Sequence, residues 1–412
     1  MAKIRPFKAI RPTRDKVHLV ATRPYYTYKD IVLKAKLEDN PYTFLHIINP
    51  EFGEKHKTEP NSNERFASVS DAYHEFIDNG ILKQDKNEHI YLYRQTTEEH
   101  EYMGIVAGAN VQEYKEDKIK KHEATLTNRE EMFMNYLNIV GYNAEPVLLS
   151  YSDIENLIEP LLYNKTKERP EYEYTTTDKV KHELWIFNKK ETESIKNGFD
   201  SIDSLYICDG HHRSASSAGL KNWRSQKGQG HFPNEDYFLA FFLNERRLQI
   251  LEFNRLIKTL NGLSKEEFLN KLRKNFKIEE LFVAEKPSET HQITMCIEGD
   301  WYRLTCAPEI INESHPVECL DAEILTNFVL KPLLGINDLK TDTNIDFISG
   351  KRDLESIQRK IGMGKFKIGF FLYPVDISVI KRVADHNMTM PPKSTWVEPK
   401  LRSGLTIYNI NE

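Results

Sequence analysis

The chain has 412 residues, 39% of them hydrophobic and 29% charged, with a formal net charge of −5. That length is enough for two or three globular domains, the 20 Tyr and 21 Phe argue against extended disorder, and the charge does not imply a basic face that would grip nucleic acid in general. The cysteines Cys208, Cys296, Cys306 and Cys319 form no C-x-x-C pair, no apolar run reaches the roughly 18 residues of a membrane span, and the start MAKIRPFKAIRP lacks a signal-peptide core, so the expectation is a cytoplasmic protein with reduced thiols and no membrane or nucleic-acid partner.

Residues Ile4 to Arg14 read as extended and proline-punctuated. The apolar run Val17 to Ala21 leads to Arg23-Pro24-Tyr25-Tyr26, where the proline biases Arg23 away from helix and predicts a strand end or loop. Tyr42 to Ile48 reads as a strand. Ser70 to Gly80 reads as a helix with Ala72, Phe76 and Ile77 on one face and Gly80 at its end. Ile90 to Tyr93 and Gly104 to Val111 read as strands. Lys121-His122-Glu123-Ala124-Thr125 is polar and bounded by charge, the pattern of a solvated loop. A carboxylate beside an imidazole is also the equipment for taking a proton from an alcohol. Thr125 suits a phosphate oxygen or the cap of a helix predicted to start near Arg129. Val147 to Ser150 reads as a strand, Asp153 lies near a helix start, residues 164–178 form a loop or hairpin, and Lys181 to Ile186 is a strand. His182-Glu183 repeats the His-Glu pair without the threonine and is taken as coincidence.

The stretch Ser204 to Ala218, SLYICDGHHRSASSA, carries the densest chemistry. Leu205 to Cys208 reads as a buried strand end, and Ser214 to Ala218 as the first turns of a helix. Between them stand Asp209, Gly210, His211, His212 and Arg213. Glycine allows a sharp turn and a close approach of the backbone to a ligand. A helix N-terminus offers unpaired N–H groups to an anion. Arg213 adds a planar fork of donors suited to phosphate, and the imidazoles accept, donate or shuttle a proton. Adjacent residues point apart, so His211 and His212 are a poor pair for one metal.

Tyr237 to Leu243 and Gln249 to Phe253 read as strands, the second leading to Asn254-Arg255. Arg255 is equally a phosphate contact or a structural ion pair. Ser264-Lys265-Glu266-Glu267 is a capping box before a helical stripe of Phe268, Leu269 and Leu272. Ile293 to Ile297 and Tyr302 to Cys306 flank a Gly299-Asp300 hairpin turn. Ala322 to Leu330 and Arg352 to Ile361 read as helices, Lys367 to Leu372 as a strand, and Asp376 as the cap of a last helix. In Met390-Pro391-Pro392-Lys393-Ser394-Thr395 the paired prolines fix an extended path that presents a lysine beside two hydroxyls.

The run DGHHR after a strand resembles the signature of a bacterial and archaeal domain-of-unknown-function family. That family also carries His-Glu-x-Thr, matched at His122, Glu123 and Thr125, and Met-Pro-Pro-Lys-Ser-Thr with a following Pro-Lys, matched at Met390 to Thr395 and Pro399-Lys400. Its N-terminal Pro-Pro-Tyr-Asp is altered here to Arg23, Pro24, Tyr25 and Tyr26. The turn is also similar to the phosphate-binding turn of the ParB/sulfiredoxin superfamily, which includes kinases for free L-serine. Sulfiredoxin has Gly-Cys-His-Arg there; His211 takes the cysteine's place, which removes sulfiredoxin chemistry.

The resemblance implies an α/β fold, more fully α+β with a mixed sheet, with a ParB/sulfiredoxin-like phosphate-binding core in residues 1–260 and a further α/β unit in 261–412. It implies that MPPKST folds back onto the DGHHR turn. The implied function is phosphotransfer involving a small hydroxyl metabolite, with free L-serine or phosphoserine first among acceptors and ATP, ADP or pyrophosphate as donor. Gly210, Arg213, Thr125, Lys393, Ser394 and Thr395 would hold phosphate. Glu123 or Asp209 would take the hydroxyl proton, assisted by His122, His211 or His212. Mg²⁺ is expected with the donor, and no tightly bound organic cofactor. A nucleotide sensor without catalysis and a phosphoserine phosphatase are the alternatives. No Walker, dinucleotide-binding, kinase, or zinc-protease motif is present.

Overall fold

A computed structural model describes residues 2–412. The chain divides into two compact units, one running to Leu248 and including Pro399–Glu412, the other spanning Gln249–Glu398. The border therefore differs from the 260/261 division expected from sequence. Gln249–Ile257 is a strand bonded to Ile345–Ser349, Ile368–Leu372 and Thr395–Glu398, all in the second unit.

The first unit is built on a nine-stranded mixed sheet. Its strands are β1 (Ile4–Arg5), β2 (Tyr91–Thr96), β3 (Glu101–Asn110), β4 (Ile119–Lys120), β5 (Val147–Tyr151), β6 (Tyr172–Thr175), β7 (Lys181–Ile186), β8 (Leu205–Asp209) and β9 (Tyr237–Asn244). The order is β4-β8-β5-β9-β3-β2-β7-β6, with β1 against β3. β8 runs parallel to β4 and β9 parallel to β5, while β8 and β5 are antiparallel. β9 reads YFLAFFLN and is buried at every position after the first. Such an unbroken apolar run, without alternation, belongs to a strand covered on both faces.

Four helices matter for the site: α1 (Asn63–Asp78), α2 (Thr127–Val140), α3 (Lys189–Phe199) and α4 (His211–Gln226). Ile195 and Phe199 of α3 join Ile105, Leu149, Ile207 and Phe242 in the main core. α1 starts seven residues before the expected Ser70, because Ser62 caps it by accepting from the Arg65 N–H. The strand expected at Tyr42 to Ile48 is instead a helical turn at Leu45–Ile48, and Val17–Val20 is another. Short apolar runs of this kind do not distinguish strand from helix by pattern alone.

The second unit holds an antiparallel sheet of β10 (Gln249–Ile257), β11 (Phe276–Leu281), β12 (Gln292–Ile297), β13 (Asp300–Cys306), β14 (Ile345–Ser349), β15 (Ile368–Leu372) and β16 (Thr395–Glu398). Its order is β11-β13-β12-β15-β10-β14, with β16 against β10. Helices α5 (Lys265–Leu272), α6 (Leu354–Gly362) and α7 (Ile377–Asp385) complete it. The capping box at Ser264 forms as read, with Glu267 returning to the Ser264 N–H. The helix read at Ala322 to Leu330 is α-helical only over Asp321–Leu325 and widens into a π-helical turn at Thr326–Leu330. Fold class is thus α/β with a mixed sheet in the first unit. No helix among the described residues is long and apolar enough to cross a membrane, and the four cysteines are buried and free of disulfides.

Candidate phosphate turn and histidine cluster

The apolar run of β8 pairs with β5 through Ile207, and the register then slips before Asp209. This bulge re-aims the strand end. Gly210 follows with φ +102, and α4 begins at once with His211. The expected loop is therefore a single residue, and His211, His212 and Arg213 form the first helical turn instead of preceding it. Gly210 meets two demands. Its φ is in the region L side chains avoid, and an added Cβ would lie 2.9 Å from Arg213 Nε and Nη2. The guanidinium thus folds back over the turn, beside the first N–H groups of a 16-residue helix.

Arg213 is gripped by two carboxylates. Nη1 meets Glu145 Oε2 at 2.5 Å and Nη2 meets Asp209 Oδ2 at 3.0 Å. The returning segment supplies the next layer: Lys400 Nζ lies 3.4 Å from Asp209 Oδ1, and Ser403 Oγ donates to Glu145 Oε1 at 2.8 Å. Burial pushes the Asp209 carboxyl up, but Lys400 and Arg213 outweigh it and hold the group below the usual carboxylate range. Asp209 is therefore ionised, with one oxygen on Arg213 and the other on Lys400. Burial raises the Tyr26 phenol, with Asp209, Arg213 and Glu145 also acting on it, and Tyr25 lines the same cavity as Arg213, so the altered 23–26 segment borders this cluster. Arg23 itself pairs with Asp178 at 3.7 Å and lies over the Tyr28 ring.

On the other flank, the His122 and His211 rings meet edge to face at 4.5 Å between centroids. His211 Nδ1 is 3.5 Å from Glu123 Oε2, and its Nε2 accepts from the His122 backbone N–H at 3.5 Å. Both imidazoles are buried, whereas the Glu123 side chain is 47% exposed. Burial, then the neighbouring His211, pushes His122 down to about 3; burial likewise takes His211 to about 4. Both rings are neutral at pH 7. His212 is half-buried in the first turn of α4. Thr125 does not cap α2 directly; its hydroxyl donates to Glu130 in the first turn of that helix.

A cavity of about 390 Å³ opens beside Arg213. Its walls are mostly apolar and aromatic, including Phe44, Phe66, Tyr136 and Phe238, with Glu145, Ser216, Ser217 and Ser403 as polar groups. The volume lies in the range of small-ligand pockets.

Lys393, Ser394 and Thr395 belong to the second unit. Lys393 adopts φ +58, its Nζ lies 5.2 Å over the Phe253 ring, and its carbonyl accepts from Arg255 Nη2 at 3.3 Å. Ser394 Oγ donates to the Pro391 carbonyl, and Thr395 opens β16. Glu145, Lys400 and Ser403 were not among the expected site residues. Lys400 had a signal in the Pro-Lys that follows MPPKST; Glu145 had none.

The pattern of the family described as protein of unknown function (DUF1015) matches residues 4–323, so Lys393 to Thr395 fall outside the matched region. A search of curated proteins finds no match. Among solved structures, a free serine kinase in complex with AMP is 13% identical, with 75% of this chain and 91% of that chain covered at a TM-score of 0.36. SbnI with a C-terminal truncation, from Staphylococcus aureus, is 12% identical over 74% of this chain and 87% of that one, at a TM-score of 0.38. A conserved hypothetical protein from Pyrococcus furiosus is 13% identical over 74% of this chain and 95% of its own, at 0.34. With most of its length matched by the family pattern, the chain belongs to the DUF1015 family.

Proposed function

We propose that the protein is a phosphotransferase acting on a small hydroxyl metabolite, with free L-serine as the first candidate acceptor. The observation that carries this reading is the Gly210 turn: one helix N-terminus places Arg213 beside a cavity and His211 against Glu123. Arg213 and the first-turn N–H groups hold the transferring phosphoryl group. Glu123, exposed and in contact with His211, takes the proton as the hydroxyl oxygen attacks phosphorus and the donor's P–O bond breaks. Asp209 positions Arg213 and is not the base, because Lys400 and Arg213 lower its affinity for a proton and already occupy its two oxygens. Mg²⁺ would be held by the donor phosphates and would screen their charge, since Asp209 and Glu145 are already paired with Arg213 and Lys400.

The test is a phosphorus NMR screen of the purified chain with serine or phosphoserine and ATP, ADP or pyrophosphate, each with Mg²⁺. New phosphoserine, or its consumption with donor regeneration, supports the reading. Glu123→Gln should lose about 10²–10⁴-fold in turnover while keeping ligand affinity by calorimetry. Ligand binding with no turnover of any phosphate compound would replace the enzyme with a sensor.

A further inference from the structure

The cluster His122, Glu123 and His211 has a second capability, independent of phosphotransfer. One ligand atom from each residue lies within 4.8 Å of the others. His122 is 1% exposed, and neither of its ring nitrogens makes a hydrogen bond of good geometry, with the Ile207 backbone also acting on the ring. A buried imidazole with both nitrogens unsatisfied is unusual, since buried polar groups nearly always find partners. Its neighbours at ligand distance are another imidazole and a carboxylate. We propose that these three side chains form a binding site for a divalent first-row transition ion of the Zn²⁺ or Mn²⁺ class.

The donor set decides the class. Two imidazoles and one carboxylate suit borderline first-row ions, whereas Mg²⁺ and Ca²⁺ prefer oxygen ligands only. Bond lengths near 2.1 Å put tetrahedral donors about 3.4 Å apart. The His211 Nδ1 to Glu123 Oε2 separation is already 3.5 Å. The remaining contraction falls on side-chain rotation, and Glu123 is 47% exposed and able to turn. Ligation through Nδ1 places a proton on His211 Nε2, so the 3.5 Å contact from the His122 N–H must open. Three protein ligands leave coordination positions for water or a substrate hydroxyl. With an ion in place, a bound hydroxyl ionises more readily, and Glu123 retains its second oxygen for the departing proton.

The experiment uses the full chain without a polyhistidine tag, stripped with chelator and titrated with Co²⁺ and Zn²⁺. One Co²⁺ per chain with visible d–d absorption, displaced by Zn²⁺ but not by millimolar Mg²⁺, is the expected result. Glu123→Ala, at an exposed position, should weaken binding at least tenfold while the circular dichroism stays native. His122→Asn and His211→Asn should abolish the absorption. No stoichiometric Co²⁺ or Zn²⁺ binding, equal competition by Mg²⁺, or binding unchanged in Glu123→Ala and in the folded histidine variants would each overturn the site. None of these readouts depends on phosphotransfer, so the site and the proposed activity fail separately.

Discussion

Arg213 in the first unit and Arg255 in the second both sit beside a backbone turn of positive φ, Gly210 and Lys393 respectively. Their circumstances are otherwise opposite. Arg213 is a quarter exposed, borders a cavity and is held by two carboxylates that favour its charge. Arg255 is fully buried; among the described residues no carboxylate lies within 4 Å, Nη1 and Nη2 donate to the carbonyls of Phe253 and Lys393, and Nε has no partner. Burial pushes it down to about 10, against the pull of Asp321. The same residue type is thus carboxylate-paired at a cavity wall in one unit and braces a loop in the other. What separates them is solvent access and the identity of the partner, neither of which is written in the local sequence.

The comparison breaks first at Arg255. Arg255→Ala removes the buried hydrogen bond to the Phe253 carbonyl and the partly buried one to the Lys393 carbonyl and leaves a void, so denaturant unfolding should show a loss of about 3–5 kcal/mol. A loss under about 1 kcal/mol would mean that the brace does no mechanical work. Arg213→Ala should behave in the opposite way. Phosphate-ester affinity by calorimetry should fall about 10–100-fold, the range of lost charge-assisted bonds, while stability changes less than for Arg255→Ala.

Acid sharpens the contrast between units. His122, His182 and His211 in the first unit are buried neutral, burial depressing each: to about 3, about 3 and about 4. The unfolded chain takes up protons near pH 6.5, which the folded unit refuses until much lower pH. Stability of that unit should fall as pH drops from about 6.5 toward these values. His291 in the second unit runs the other way. Its hydrogen bond to Asp321 raises its pKa against burial, so its contribution is full below about 6.5 and is lost as pH rises through the raised value. Thermal melts followed by tryptophan fluorescence between pH 4 and 8 should show His211→Asn flattening the acid limb and His291→Gln leaving it intact. The smallest effect is at Lys393, where replacement by glycine removes a left-handed side chain and should change stability by no more than about 1 kcal/mol.

The strand, glycine and helix around residues 205–226 were legible because one apolar run, one glycine and a block of small residues follow in strict succession. The helix was expected to begin at Ser214, since two histidines and an arginine read as loop chemistry. It begins at His211 because Gly210 alone makes the turn. Glu145, Lys400 and Ser403 were illegible as partners of this turn. Their contacts close loops of up to 258 residues, and no periodic pattern encodes such pairings. Tyr42 to Ile48 failed for a local reason, an apolar stretch too short to declare its period.

The interruption of the first unit by the second bears on how the chain is made. Asp209 and Glu145 emerge from the ribosome long before Lys400 and Ser403, and all of Gln249–Glu398 must be synthesised between them. During that interval the Gly210 turn exists without its final cation and hydroxyl, and the strand pair Tyr142–Asn143 with Tyr408–Asn409 stays open. Closing so long a loop is entropically slow, so the inserted unit is free to fold first. Lys400 and Ser403, translated only after the whole inserted unit, then complete the charge balance around Arg213.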